Sequence, residues 1–432
     1  MRTARRIGLV LAVCLAALTG PAGASDTSNS GLELVESTQP DGGMVDHRFR
    51  TPALGVEPSV RVLLPPGYGK SSRNYPVLYL LHGAIDDYRS LTDKGLVAAV
   101  AERRNMILVM PDSGPIGGYA NWITPASDGP RRWRDFHLGQ LIEWIDDQYR
   151  TIGTRSGRAI AGISMGGGGA IRYAALRPDL FGAAASLSGA VDYRDAALRE
   201  VTPDLVYGPW ESEQVRWRGD NPFDLAVNLR PVRLSLHSGN GQPRVPEDPF
   251  DPVEFVVHRM SLSLHGELDR LGIPHRWHDY GPAGHTWDQW SRELREVIIW
   301  SRKVFASPRP DPRRFSYRTV ARDYGVFGWR VRMERRAMEF SRLDVLGPNG
   351  LAISGSGRTT VCTPRRFVTG RRYKVRVKTF RGVARKKVRA AGKRLCLRIK
   401  LGTANPSPQF TPGAKTRVFA ATVKILPASL PT

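Results

Sequence analysis

From Ser307 to Phe315 the chain reads SPRPDPRRF, with three prolines in nine residues. Proline fixes φ and has no amide to donate, so neither a helix nor a central strand continues through this stretch. The 432-residue chain is therefore read as two folded units joined by a linker, in keeping with the roughly 250–300 residues that a single core seldom exceeds. Charge divides at the same place. From Pro308 onward 30 Lys and Arg face five acids, a net of +25, whereas the whole chain carries +24 and residues 1–307 are close to neutral.

The first 24 residues have the order of a secretory signal peptide. Arg2, Arg5 and Arg6 precede an apolar run from Ile7 to Leu18, followed by Ala22-Gly23-Ala24. Cleavage is expected after Ala24. Cys14 belongs to the apolar run rather than to a lipid anchor, because Val13 suits lipidation of the next residue poorly. The run is short for a bilayer span, and no other stretch is long and apolar enough, so an exported protein of the cell exterior or envelope is expected. In that oxidising setting the two remaining cysteines, Cys362 and Cys396, are expected to form one disulfide.

Between the leader and the linker, residues 25–306, apolar runs alternate with amphipathic segments. YPVLYLLHG, MILVMPD, AAASLSG and VRLSLHSG read as buried strands, and DFHLGQLIEWIDDQY as a helix. Strands alternating with helices predict an α/β unit with a mostly parallel sheet covered on both faces. After the linker (307–315), residues 316–432 show short alternating runs such as YKVRVKTF and LCLRIKLG between glycines and prolines. That texture predicts a small all-β, sandwich-like unit.

Chemistry concentrates around Ser164 in Gly162-Ile163-Ser164-Met165-Gly166. Gly-x-Ser-x-Gly alone is a weak signal in a chain with 44 glycines, and a tight turn with an incidental serine is the plain alternative. Here the motif follows an apolar stretch, Ala159–Ala161, and precedes the helix-compatible Gly167–Ala175. Strand, sharp turn and helix is the arrangement that presents a nucleophilic serine. The Met165 amide then donates to an oxyanion. A second donor is expected from the loop after YLLHG, assigned to Ala84 with Gly83 as fallback; His82 is read as structural.

A serine needs a base, itself oriented by an acid, and in this fold both follow the serine in sequence. Of the later histidines, His237, His258, His265, His275, His278 and His285, only His285 sits on a Gly-rich loop before a helix, in YGPAGHTWDQW. His275 and His278 read as residues of an edge strand. The stretch after VRLSLHSGNG offers Glu247, Asp248, Asp251 and Glu254 as acids, and the residue types leave that choice open.

LLHGAIDDYRSL, MPDSGPIGGYANW, GISMGGGGA, SGNGQP and GHTWDQW together resemble the esterase branch of the α/β-hydrolase fold, the group of esterase D and the secreted antigen 85 mycolyltransferases. The resemblance covers about residues 45–306. It implies Ser164 as nucleophile, His285 as base, Glu254 as acid with Asp251 as the alternative, and the Met165 and Ala84 amides as oxyanion donors. Asp86, Asp87 and Trp287, within the same motifs, are the candidate substrate contacts. The mycolyltransferases carry an arginine between the oxyanion glycine and the paired aspartates; this chain lacks it, which argues against trehalose as acceptor.

The expected activity is thus a serine carboxylesterase or acyltransferase working through an acyl-enzyme on acyl-lipid or acyl-sugar esters, with no metal or cofactor. A mycolyl or acyl transferase to a sugar is the runner-up, and a non-catalytic envelope-binding protein on a hydrolase scaffold is a third reading whose signature would be a missing triad member. The basic unit points to a polyanion; for an exported protein that means an anionic cell-wall polymer or membrane surface, with nucleic acid not expected.

Overall fold

The computed structural model describes residues 31–40, 42–95, 97 and 105–426. The expected signal peptide lies outside the described residues. Residues 31–306 build a nine-stranded sheet of β1 (Glu33–Thr38), β2 (Met44–Arg50), β3 (Ser59–Leu63), β4 (Val77–Leu81), β5 (Ile107–Pro111), β6 (Arg158–Ile163), β7 (Ala183–Leu187), β8 (Arg233–Ser238) and β9 (Arg276–Asp279), in the order β1-β2-β3-β5-β4-β6-β7-β8-β9. From β5 to β9 every pairing is parallel. The sheet is not parallel throughout, because β1, β2 and β3 join in antiparallel register against β5. Short connections link these first strands, and only an antiparallel pair can be closed without a crossover.

The central strands are apolar at nearly every position because both faces are covered: β4, β5 and β7 are buried along their whole length. Alternate residues feed two cores. Val77, Tyr79 and Leu81 face one, Leu78 and Leu80 the other. The helices used below are α1 (Ile142–Gln148), α2 (Met165–Leu176), α3 (Ala196–Val201), α4 (Asp204–Tyr207), α5 (Trp210–Asp220), α6 (Pro252–Arg270) and α7 (Trp287–Ala306). The segment read as one amphipathic helix is helical from Trp133 to Gln148, ending in α1. Among the described residues no helix is long and apolar enough to cross a membrane.

Residues 315–425 form two antiparallel sheets on one core. The six-stranded sheet runs β10 (Phe315–Thr319), β13 (Ser341–Gly347), β14 (Gly350–Gly355), β19 (Phe419–Ile425), β16 (Arg372–Thr379), β17 (Gly382–Arg389). The four-stranded sheet runs β11 (Asp323–Val326), β12 (Trp329–Glu334), β15 (Arg358–Cys362), β18 (Cys396–Lys400). Val331, Val361 and Leu397 of one sheet meet Leu343, Ile353, Val375 and Val423 of the other in a shared core. Cys362 and Cys396 are directly opposed on β15 and β18, their Cα atoms 4.0 Å apart and their sulfurs joined.

The sandwich rests on the α/β unit through β10. The fully buried Asn228 accepts from the Arg318 amide (2.7 Å) and donates to the carbonyls of Arg318 (2.9 Å) and Ala175 (3.0 Å). The Tyr317 hydroxyl donates to the Leu176 carbonyl at the end of α2, 2.7 Å away. Asn228→Ala should strand these backbone groups and lower the stability of the chain by about 2–3 kcal/mol in denaturant unfolding. A change of under about 0.5 kcal/mol would show that the contact between the units carries no stability.

The buried face of α7 contains one carboxylate, Glu293, with its Oε1 accepting from the Gln289 amide at 2.9 Å and its Oε2 without a partner. Burial chiefly, reinforced by the negative Glu254 and Glu296, pushes this carboxyl up to about 8 from the ordinary 4.5, while Gln289 and Arg292 work in the opposite direction. The folded-state value lies above the unfolded one, so the contribution of Glu293 to stability is full below about pH 4.5 and is lost as pH rises through about 8. Unfolding measured from about pH 5 to 9 should therefore show wild type losing ground to Glu293→Gln as pH rises. A constant difference between the two would contradict a raised Glu293.

Candidate active site

Between β6 and α2 the chain makes a sharp turn with Ser164 at φ 51°, ψ −120°. For a residue other than glycine this is a strained conformation, held only if its surroundings permit nothing else. The flanking glycines make room for it: a Cβ at Gly162 would stand 2.3 Å from the Gly166 carbonyl oxygen, and one at Gly166 2.3 Å from the Leu81 carbonyl oxygen. The Ser164 amide donates to Leu187 of β7, and its carbonyl accepts from Gly168 and Ala190. Met165 is the first residue of α2, so its amide has no acceptor within the helix.

His285 comes to this serine from the loop between β9 and α7. Its Nε2 lies 2.8 Å from Ser164 Oγ and its Nδ1 2.7 Å from Glu254 Oε2. With Nδ1–H donating to the carboxylate, Nε2 carries the lone pair that faces the hydroxyl. The loop is pinned to the end of β8, where the Asn240 and Gly241 amides donate to the carbonyls of Gly281 and Ala283. This is what the Ser-Gly-Asn-Gly sequence does in space. Trp290 meets the imidazole edge-on at 4.7 Å between centroids.

Glu254, in the first turn of α6, is fully buried. Its Oε1 accepts from Ser188 Oγ (2.9 Å), Ser238 Oγ (3.1 Å) and the Gly239 amide (2.7 Å), leaving Oε2 to His285. Asp251, the alternative acid, is engaged elsewhere. It caps α6 through the Val253 and Glu254 amides and accepts from the backbone amide of His285 at 2.7 Å. Burial works against its charge, yet the amides of Glu254, His285 and Val253 hold its carboxyl below the usual carboxylate range. Asp251 thus fixes the loop while Glu254 faces the ring.

Ala84 and Met165 both line the cavity that opens at Ser164. The Ala84 loop is braced by His82, whose Nδ1–H donates to the Gly83 carbonyl (2.7 Å) and whose Nε2 accepts from the Ser113 amide (3.0 Å). The cavity measures about 390 Å³. Its walls come from α3 to α6, with Leu198, Val206, Trp217, Val257 and Met260 among them, and they are largely apolar. Behind them the buried Arg172 guanidinium donates to Tyr207 Oη (2.6 Å), Tyr193 Oη (3.3 Å) and the Gly118 carbonyl (2.6 Å). A larger cleft of about 690 Å³ between the two units contains none of Ser164, His285 and Glu254.

Three residues expected at the substrate do not line this cavity. Asp86 forms an ion pair with Lys94 at 2.8 Å, and the Lys94 ammonium lies 5.6 Å from the Trp287 ring. Asp87 accepts from the amides of Arg89 and Ser90. Charge pairing and turn capping occupy all three. Sequence reasoning missed Ser188, Ser238 and Gly239 behind the acid, and the whole α3–α5 wall. The one legible trace was Val253, Val256, Val257 and Met260, spaced as a single face of α6.

The profile of the family described as "Putative esterase" matches residues 51–300. Esterases from two strains of Mycobacterium tuberculosis are each 37% identical over 285 residues, 62% of this chain and 61% of theirs, so the match spans less than two thirds of those relatives. A diacylglycerol acyltransferase/mycolyltransferase of Mycobacterium avium is 26% identical over 314 residues, 67% of this chain and 90% of that protein. Among solved structures, an S-formylglutathione hydrolase from Agrobacterium tumefaciens superposes with a TM-score of 0.52 at 16% identity, over 63% of this chain and 99% of that one. The fluorophosphonate-binding serine hydrolase F of Staphylococcus aureus does so with 0.51 at 20% identity, over 60% and 98%. These two likenesses are of fold. With a family match across more than half its length and this architecture, the chain belongs to the esterase family built on the α/β-hydrolase fold.

Proposed function

We propose that this protein is an exported serine esterase that cleaves esters of aliphatic acids through an acyl-enzyme. The observation that carries the reading is the hydrogen-bonded line Ser164–His285–Glu254 at the mouth of an apolar cavity. His285 Nε2 takes the Ser164 proton as Oγ attacks the ester carbonyl. The Met165 and Ala84 amides hold the resulting oxyanion. His285 then returns the proton to the departing alcohol oxygen. In the second half, water gives a proton to His285 and attacks the acyl carbonyl, freeing the acid and Ser164. Glu254 keeps the imidazole in the tautomer that can do this.

Residues 25–306 are proposed as the catalytic domain, 307–315 as a linker and 316–432 as a basic domain for an anionic cell-wall polymer or membrane surface. Residues 1–24 would direct export, and a Cys362–Cys396 disulfide suits that destination. A second reading, transfer of the acyl group to a sugar hydroxyl, is favoured by the apolar walls around Ser164, which disfavour water.

Turnover of p-nitrophenyl butyrate should vanish in Ser164→Ala, and Glu254→Gln should lower kcat by about 10³- to 10⁴-fold. Undiminished turnover in Ser164→Ala would overturn the nucleophile. Incubating the enzyme with a lipid ester and sugar acceptors decides between the two fates of the acyl group. Free acid as the sole product supports the esterase, whereas an acylated sugar establishes transfer.

A further inference from the structure

Strands β16 and β17 form one edge of the six-stranded sheet, with β17 outermost. On β16, Val375 and Val377 point into the core, and Arg372, Lys374, Arg376 and Lys378 point to solvent. The register sets Arg389 opposite Arg372, Lys387 opposite Lys374 and Arg385 opposite Arg376, all exposed. On the other flank Lys424 of β19 stands opposite Arg376. Eight cations thus share one face, with like charges in direct cross-strand opposition, an arrangement that weakens a sheet unless something neutralises it.

The ion pairs of this unit lie elsewhere. Among the described residues they join Arg332 to Asp323, Arg335 to Glu339, Arg342 to Asp344 and Arg398 to Glu334, and none includes any of the eight. On the four-stranded sheet two acids stand among the cations, Asp323 pairing with Arg332 and Glu334 with Arg398, so that Arg358, although it faces Lys400 on one side, has Glu334 on the other. On β16, β17 and β19 the acids are missing. Successive outward residues of a strand are roughly 6.6–6.8 Å apart and neighbouring strands about 4.8 Å, so the cations of β16 and β17 form two narrow parallel files, with Lys424 beside them on β19. A bilayer would call for a broader plane. The outward positions of β16 carry no aromatic ring, Tyr373 being turned toward the core, and the exposed Phe380 lies past the strand end against Phe419, so bases would find no row of stacking platforms along the cations.

We propose that this face binds a linear phosphodiester-linked polymer outside the nucleic-acid class, laid along β16 and β17 with one phosphate for about every two strand residues. Binding releases counterions and removes the opposition between like charges. The proposal deepens the reading of residues 316–432 as an anionic-polymer module and is independent of the serine chemistry.

The test uses the full chain and poly(glycerol phosphate) of about ten units, with affinity measured against salt. Lys374→Gln/Arg376→Gln/Arg385→Gln/Lys387→Gln should lose at least about tenfold in affinity at ~0.1 M salt, and its salt slope should fall by about 3. Arg330→Gln/Arg358→Gln/Arg398→Gln/Lys400→Gln, with the same charge change on the other sheet, should shift the slope by less than about 1. Equal losses in the two variants would overturn the proposal in favour of undirected charge. So would tighter binding of single-stranded DNA, or of phosphatidylglycerol vesicles, than of the polymer. The first variant should melt at or above wild type, because opposed cations have been removed. It should also keep wild-type turnover of p-nitrophenyl butyrate, so a chain without esterase activity would sink the catalytic reading and leave the binding result standing.

Discussion

The buried carboxylate of Glu254 is the constraint on which the site depends. An ionised carboxylate removed from water is strongly destabilising unless donors replace its hydration. Here Ser188 follows β7, Ser238 and Gly239 end β8, and His285 arrives from beyond β9. Three consecutive parallel strands must therefore hold their register for one oxygen pair to be satisfied. The same requirement aims the imidazole, because the only oxygen left to it is Oε2. Asp251 adds a second hold by fixing the His285 backbone.

The serine is placed by a different kind of constraint. Its positive φ is tolerated because Gly162 and Gly166 let strand, turn and helix approach closer than any Cβ permits. The elbow is steric and the acid pocket electrostatic, and the two meet only at the 2.8 Å contact between Oγ and Nε2. Arg172, about two turns further along α2, carries the order outward by holding Tyr193 and Tyr207 behind the cavity. A single helix thus both begins at the Ser164 turn and steadies the apolar wall of the cavity.

Much of this was legible in the chain. Buried parallel strands announce themselves as unbroken apolar runs, and the Gly-x-Ser-x-Gly turn and the His285 loop stand in local sequence context. What stayed hidden was everything assembled from distant pieces. Nothing around Ser188 or Ser238 marks them as donors to a residue 66 and 16 positions away. The α3–α5 segment consists of short helices whose apolar residues divide between a small cluster of their own and the cavity wall, which leaves no long amphipathic face to read. Asp86, Asp87 and Trp287 lie within the motifs but are not among the residues lining the cavity, Asp86 and Trp287 both meeting Lys94 and Asp87 capping a turn.

The sequence by itself determined the two textures either side of the prolines, the concentration of charge in the second unit, and the types of residue available for nucleophile and base. Periodicity and composition act locally and survive in one dimension. Only the tertiary structure shows that Glu254 meets the His285 ring while Asp251 holds the His285 backbone, since two carboxylates three residues apart at the start of one helix are told apart by what surrounds them. It also decided which cations stand without an acid beside them. In the sequence β16 and β12 both alternate basic and apolar residues; cross-strand register sets Arg332 of β12 opposite the acid Asp323 and sets Arg372, Lys374 and Arg376 of β16 opposite further cations.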